Sequence, residues 1–379
     1  MTTRTGIRVL FAGGGTGGHL YPALALGDAV RRADPDAAVM YVGAERGVEA
    51  RVLPERGVPH TLLPLEPIRR SRPWENWRLV PAMLRSGTGL RRVFRDFRPD
   101  VVVGTGGYAS GPAVAWALLS RVPTALQEQN SYPGLVTRLL TPRVGQLHLA
   151  FPEAKRHLKL GNTVVFEHGN PIQPPDLEAD VAGARARFGL GTGPVALVVG
   201  GSQGARAINE ALLADLRGVV EGRLAGRPEG MEILWATGPA HFDSIQGRLA
   251  EMGAPDWVRP QPYIQEMPAA LAAADMAISR AGAMALAELC AWGLPSVLVP
   301  FPYAAADHQR HNAAALDEAG AGLMVDERDL APGALWERLI ELAGDEERRG
   351  AMAARARERG RPDAADLIAK QLIELAGDE

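Results

Sequence analysis

One cysteine, Cys290, stands in 379 residues, so no disulfide can form within the chain. That usage fits a reducing compartment. The formal net charge is −3, too near zero to point at nucleic acid. No stretch reaches the roughly 18 consecutive apolar residues of a membrane-crossing helix; each meets a charge or a breaker first. The opening MTTRTGIRVLFAGGG offers only about five apolar residues before its glycines, too few for a signal-peptide core. The expectation is a cytosolic protein that does not cross a membrane and does not bind nucleic acid. The second half carries no D-x-D between strands, and no His/Asp cluster sits beside its glycine-rich loops. Nothing there asks for a metal.

What is present is a repeating α/β grammar. Short apolar runs at Ile7–Ala12, Val39–Gly43, Val101–Gly104 and Thr124–Leu126 read as buried parallel strands. Between them apolar residues recur every three or four positions, as at Leu20, Ala23, Leu24 and Gly27. Strand, helix, strand means a parallel sheet with crossover helices. The stretch from about Gly161 to Gly193 is rich in Pro, Gly and charge and reads as a domain connection. After it the grammar restarts with VALVVGGSQGARAINEALL, and further strands are expected at Glu232–Thr237, Met276–Ser279 and Ser296–Pro300. Two similar α/β domains follow, expected at 1–165 and 166–361, with a closing helix near Ala364–Ala376 in a segment 362–379 that packs back on the first.

Each domain places glycine-rich loops at strand ends. AGGGTGGHLYP (12–22) and GTGGYASGP (104–112) fall in the first, GGSQGA (200–205) and SRAGAMALAE (279–288) in the second. Gly13, Gly15 and Gly18 satisfy the G-x-G-x-x-G dinucleotide pattern, with Glu45 as the acid it would need. Its spacing from the loop is somewhat long. The glycines could also do no more than turn a strand tightly into a helix. The pairing of loops favours a third reading. Two loops at strand C-termini flank the crevice where α/β sheets bind ligands, and backbone N–H groups with helix N-termini suit a diphosphate. Two such sites in two domains imply two phosphate-bearing ligands.

Nine motifs in order over residues 8–325 are GGTGGHLYPALAL, GTGGYASGP, QEQNSYPGLVTRLL, GNPI, GGSQGARAIN, YIQEM, SRAGAMALAE, GLPSVLVPFPYAAADHQRHNA and EAGAG. Together they resemble the MurG family of glycosyltransferases. The resemblance implies a GT-B fold, with two Rossmann-like parallel-sheet domains facing a cleft. It implies UDP-GlcNAc as donor in the C-terminal domain and lipid I, undecaprenyl-diphosphoryl-MurNAc-pentapeptide, as acceptor on the N-terminal one. The product would be lipid II, formed with inversion. No cofactor and no metal is implied. The location implied is peripheral, on the cytoplasmic face of the cell membrane, with cell-wall and division proteins as further partners.

Carried onto this sequence, the family's donor contacts fall on Thr16, Gly17, Gly18, Asn130, Ser202, Ile264, Ala283, Met284, Ala285, Leu286, Ala287, Glu288 and Gln309. Glu288 suits the two hydroxyls of a ribose, with a solvated helix face as its bland alternative. Ile264 can offer only backbone groups to the uracil. Arg280, just before the helix, is a candidate for the donor diphosphate or else one half of a surface ion pair. Gly14, Gly15, Gly106, Gly107 and Tyr108 are the acceptor-diphosphate candidates. An inverting transfer needs a base for the acceptor hydroxyl. His19 fits, because histidine suits proton transfer near neutral pH; it could instead bind substrate or pack the loop. Glu128 is the rival base, or a loop holder. The sequence departs from the family with Gln173 where an arginine is common, Gln127 where histidine is common, and Ala281 and Ala285 where hydroxyl residues are common. An arginine contact of that kind is worth about 1.5–3 kcal/mol.

The segment 68–99 interleaves arginines with Trp74, Trp77, Leu79, Val80, Met83 and Leu84. That composition suits an anionic membrane surface, or an amphipathic helix whose apolar face is core. Rival functions are another GT-B enzyme on a different acceptor, a UDP-GlcNAc epimerase with carboxylates in its site, a nicotinamide-dependent oxidoreductase, and a binding protein without turnover.

Overall fold

A computed structural model describes residues 6–66, 74, 77, 80–176 and 178–377, with the backbone alone at Val80 and Met83. The chain forms two compact units, 1–173 with 362–379, and 174–361. The first holds a seven-stranded sheet of β1 (Arg8–Ala12), β2 (Ala38–Ala44), β3 (His60–Leu63), β4 (Val101–Gly104), β5 (Thr124–Glu128), β6 (Gln146–Leu149) and β7 (Val164–Phe166), in the order β3-β2-β1-β4-β5-β6-β7. The second holds six strands, β8 (Val195–Val199), β9 (Glu232–Ala236), β10 (Val258–Gln261), β11 (Met276–Ser279), β12 (Ser296–Leu298) and β13 (Leu323–Met324), in the order β10-β9-β8-β11-β12-β13. Every pairing is parallel.

Helices cover both faces of a parallel sheet, so its strands are apolar throughout rather than alternating. Val9, Leu10, Phe11 and Ala12 are each fully buried, as are Val195 to Val198. Phe11 lies in one face's core with Leu20, Leu24 and Leu26, and Leu10 in the other's with Ala109, Ala113 and Val114. The closing helix Ala364–Gly377 gives Ile368, Ala369 and Leu372 to the same core as Phe11, and Asp366 pairs with Arg32 at 2.6 Å.

The stretch 161–193 is more than a connection. Its first part contributes the edge strand β7, and Val181–Arg187 is a helix capped by the Asp180 side chain. The chain passes between units at Gln173 and Pro174.

The helix Val80–Phe97 buries Ala82, Ser86, Leu90 and Val93 at helical spacing. Its rear half is therefore core, with Leu90 and Val93 packed among β-strand residues and Arg85, Arg91, Arg92 and Arg95 exposed. Trp74, Trp77 and Leu84 are about seven-tenths exposed, at 70%, 69% and 69%. Leu79, residues 68–73 and the side chains of Val80 and Met83 lie outside the described residues. Among the described residues no helix is long and apolar enough to cross a membrane.

Candidate active site

In each sheet the first strand of its unit is flanked on either side by strands reached in opposite directions, β1 by β2 and β4, β8 by β9 and β11. Such a switch point opens a crevice beyond the strand C-termini. All four glycine loops leave from there. Ala12 pairs with Gly104 and Val199 with Ser279, so each pair of loops starts level.

At the first switch point the two loops touch. Gly107 has φ 73°, and a Cβ there would stand 2.0 Å from the carbonyl oxygen of Gly14. Only glycine allows both the left-handed backbone and that approach. The helix Gly17–Ala33 starts beside it, with exposed Thr16 as its N-cap and Gly17 and Gly18 in its first turn. His19 follows in that turn. Its ring lies against the Gly106–Gly107 backbone, and its Nδ1 stands 3.0 Å from Gln129 Oε1 and 3.2 Å from Thr105 O. The Thr105 hydroxyl donates to His19 O at 2.8 Å. Tyr108 leans its ring over Gly15. Burial, then Glu49 and Glu66, raises its phenol above the ordinary value.

Two carboxylates in this region are structural in their bonding. Glu128 is buried and accepts from Asn130 N, Asn130 Nδ2, Gly134 N and Thr137 Oγ1, the last at 2.6 Å. Both oxygens are committed to tying down the loop 128–137, which favours the loop-holding role over the base. Glu49, which sequence reasoning missed, is fully buried beneath the first loop. It accepts from Ala44 N at 2.9 Å and from Gly15 N at 3.0 and 2.9 Å. The Gly15 amide expected for an acceptor diphosphate is thus already bonded to an acid. Glu45, the acid a dinucleotide would use, is exposed, and its backbone N bonds to Leu63 O.

The second switch point opens into a cavity of about 590 Å³. Of the predicted donor contacts, Ser202, Ile264, Arg280, Ala285, Glu288 and Gln309 line it. The run 283–288 does not contribute evenly. The helix Ala283–Trp292 turns Gly282, Ala285, Glu288 and Leu289 to the cavity, while Ala283, Met284, Leu286 and Ala287 do not line it and Leu286 is core. Positions 282, 285, 288 and 289 recur at helical spacing, so they share one face. Gly282 is the N-cap and has no side chain with which to cap the first turn. Thr16, Gly17, Gly18 and Asn130 belong to the other unit.

Glu288 has no hydrogen-bond or ion-pair partner among the described residues, and burial pushes its carboxyl up to about 7. Arg280 behaves otherwise. It pairs with Glu327 at 2.6 Å, donates to Val299 O and Pro300 O at 3.1 and 3.2 Å, and lies over the Phe301 ring. The pair is largely buried, not the surface pair weighed from sequence, and Glu327 was not anticipated. Gln309 lines the cavity and accepts from Phe301 N at 3.0 Å. Among the departures, Ala281 is fully buried with its carbonyl accepting from Asn312, whereas Ala285 lines the cavity. Gln173 is exposed at the unit boundary. Gln127 is buried in the first unit and donates to Asn170 Oδ1 at 3.1 Å, so its departure bears on the His19 side.

Residues 9–148 match the glycosyltransferase family 28 N-terminal domain, and residues 195–368 match the family 28 C-terminal domain. A protein of Chlorobaculum parvum, described as UDP-N-acetylglucosamine--N-acetylmuramyl-(pentapeptide) pyrophosphoryl-undecaprenol N-acetylglucosamine transferase, is 42% identical over 376 residues, 98% of this chain and 100% of its own. One of Moorella thermoacetica with the same description is 41% identical, over 97% of this chain and 98% of its own. The crystal structure of Acinetobacter baumannii MurG superposes with a TM-score of 0.75 at 27% identity, covering 97% of this chain and 99% of that one. Identity of this order along nearly the whole of both chains, with both domains matched in sequence order, makes this chain a member of the MurG family of glycosyltransferases, with the GT-B fold.

Proposed function

We infer that the chain moves GlcNAc from UDP-GlcNAc to lipid I, giving lipid II and UDP. The observation that carries this, beside family membership, is the partnerless Glu288 carboxylate facing the cavity of the second unit. A ribose offers two adjacent hydroxyl donors to such an acceptor. The diphosphate then falls to the first turn of the helix Ala283–Trp292, whose amides and dipole favour negative charge where the leaving UDP develops it. Arg280 lines the same cavity with its charge paired to Glu327.

In the first unit the acceptor diphosphate is assigned to the start of the helix Gly107–Leu119, at Gly106, Gly107 and Tyr108. Gly15 is the weaker candidate, because its amide faces Glu49. His19 takes the acceptor hydroxyl proton as the oxygen attacks the anomeric carbon. The bond from that carbon to the diphosphate oxygen breaks, its electron pair leaves with UDP, and the configuration inverts. Exposed Trp74, Trp77 and Leu84, with exposed Arg85, Arg91 and Arg92 in the same segment, support peripheral attachment to an anionic membrane.

The test is incubation with labelled UDP-GlcNAc and a lipid I analogue. A labelled disaccharide product is expected. Free GlcNAc, an epimerised UDP-sugar, or no turnover would each overturn the reading.

A further inference from the structure

Three buried amide side chains lie behind His19. Gln127, Gln129 and Asn170 are exposed by 1%, 2% and 2%. Gln129 Nε2 stands 2.8 Å from Thr105 O and 3.1 Å from Gln127 O. Both are backbone carbonyls, which can only accept, so the end of the amide facing them must be NH2. Turning the amide over would press Oε1 against two carbonyl oxygens. Gln127 Oε1 also accepts from Gln129 Nε2. Gln127 Nε2 in turn donates to Asn170 Oδ1 at 3.1 Å, and Asn170 Nδ2 donates to Gln129 O at 3.2 Å. The ring of amides leaves Gln129 one orientation.

That orientation points Oε1 at His19 Nδ1, 3.0 Å away, and Thr105 O stands 3.2 Å from the same nitrogen. Nδ1 therefore faces two acceptors and no donor, and it must carry the hydrogen. Nε2 has no hydrogen-bond partner among the described residues and keeps its lone pair. Imidazole in water favours the opposite tautomer, with the hydrogen on Nε2, so the protein has reversed an intrinsic preference.

We propose that Gln129 is the positioning residue that fixes His19 as the Nδ1–H tautomer, making Nε2 the atom that receives the acceptor hydroxyl proton. The proposal rests on His19 being the base. Gln129 need not touch substrate. It acts through the imidazole, and Gln127 and Asn170 act through Gln129.

The experiment starts with the tautomer. Two-bond 1H–15N spectra of the full chain with labelled histidine, the His19 signals identified by their loss in His19→Gln, are expected to show Nδ1 protonated and Nε2 bare at alkaline pH. A protonated Nε2 in the parent chain overturns the proposal whether or not any variant folds. Gln129→Met removes the acceptor and keeps the volume. It is expected to shift the His19 signals toward the Nε2–H form, with Thr105 O alone left to oppose the change. Its kcat should fall by about ten- to a hundredfold, part of the roughly 10²–10⁴-fold that general-base catalysis supplies, while KM for UDP-GlcNAc stays within about twofold. A folded Gln129→Met chain with parent tautomer and parent kcat overturns the proposal. Should His19→Gln retain parent turnover, His19 is not the base; that failure is read from activity, while the tautomer is read from the parent spectrum.

Discussion

Glu288 offers the sharpest test of the donor site. Burial moves its carboxyl from the usual 4.5 to about 7, and among the described residues no cation pairs with it. Arg206, Arg280 and Glu327 share the cavity lining, and Arg280 is tied to Glu327. Ionising Glu288 in the folded chain costs about 3 kcal/mol more than in water, at roughly 1.4 kcal/mol per tenfold. The sign follows from proton counting. Between 4.5 and about 7 the folded chain holds a proton that the unfolded chain has lost, so stability falls as pH rises through that window. Glu288→Gln should therefore be more stable than the parent above about pH 7, by up to about 3 kcal/mol, and gain little near pH 5. Donor binding should run the other way. Ribose hydroxyls donate to the carboxylate and draw it into the ionised form, so UDP-GlcNAc affinity should rise with pH and fall by up to about tenfold per pH unit below about 7. UDP-GlcNAc has no group of its own titrating there, because both ends of its diphosphate are esterified. Calorimetric titration across this range reads the slope. Glu288→Gln should flatten it and, at the alkaline end, bind more weakly by about 1.5–3 kcal/mol, roughly ten- to a hundredfold. A parent affinity that does not change between about pH 6 and 8, or a glutamine variant that binds as tightly as the parent, would sink the ribose assignment.

Glu128→Ala should lower thermal stability, since Asn130 N, Gly134 N and Thr137 Oγ1 lose their acceptor at about 1–3 kcal/mol each if left buried and unpaired. Glu128→Gln should fold and keep turnover within about tenfold; abolished turnover with an unchanged melting temperature would return Glu128 to the role of base. Glu49→Ala should cost about 2–5 kcal/mol in urea unfolding, because the Ala44 and Gly15 amides are left over a void; a loss under about 1 kcal/mol would show that the loop does not need it. Replacing Trp74, Trp77 and Leu84 by serine should reduce binding to anionic vesicles at least about tenfold, since each apolar side chain is worth about 1.5–3 kcal/mol when buried. Turnover of long-chain lipid I should then fall more than that of a short-chain analogue. Parent-like vesicle binding by a folded triple variant would remove this surface from the membrane.

Much of the fold was legible because its determinants are local. A run such as Val101–Gly104, short and β-branched with no polar residue, suits a strand covered on both faces. Glycines directly after such runs mark loops, and SRAGAMALAE reads as a helix start without any partner. Glu288 came from the family resemblance, its place in that helix being compatible with a ribose contact. What the run 283–288 does not show by itself is which side chains face the cavity: Ala285 and Glu288 line it, while Leu286 is buried. Trp74 and Trp77 were legible as a surface, whereas the arginine-rich half of the same segment buries Leu90 and Val93.

The sequence by itself determined two α/β units, the turns that end their first strands, and the residue types available at those turns. Only the tertiary structure decided which of those groups are free to act. Gly15 and Glu49 are 34 residues apart and His19 and Gln129 are 110 apart, yet each pair is bonded. A hydrogen bond uses up a donor or a lone pair, and no local pattern records whether a partner arrives from another strand. Strand order brings β2, β4 and β5 around the end of β1, and that order fixes which amide, which carboxylate and which imidazole nitrogen remain for chemistry.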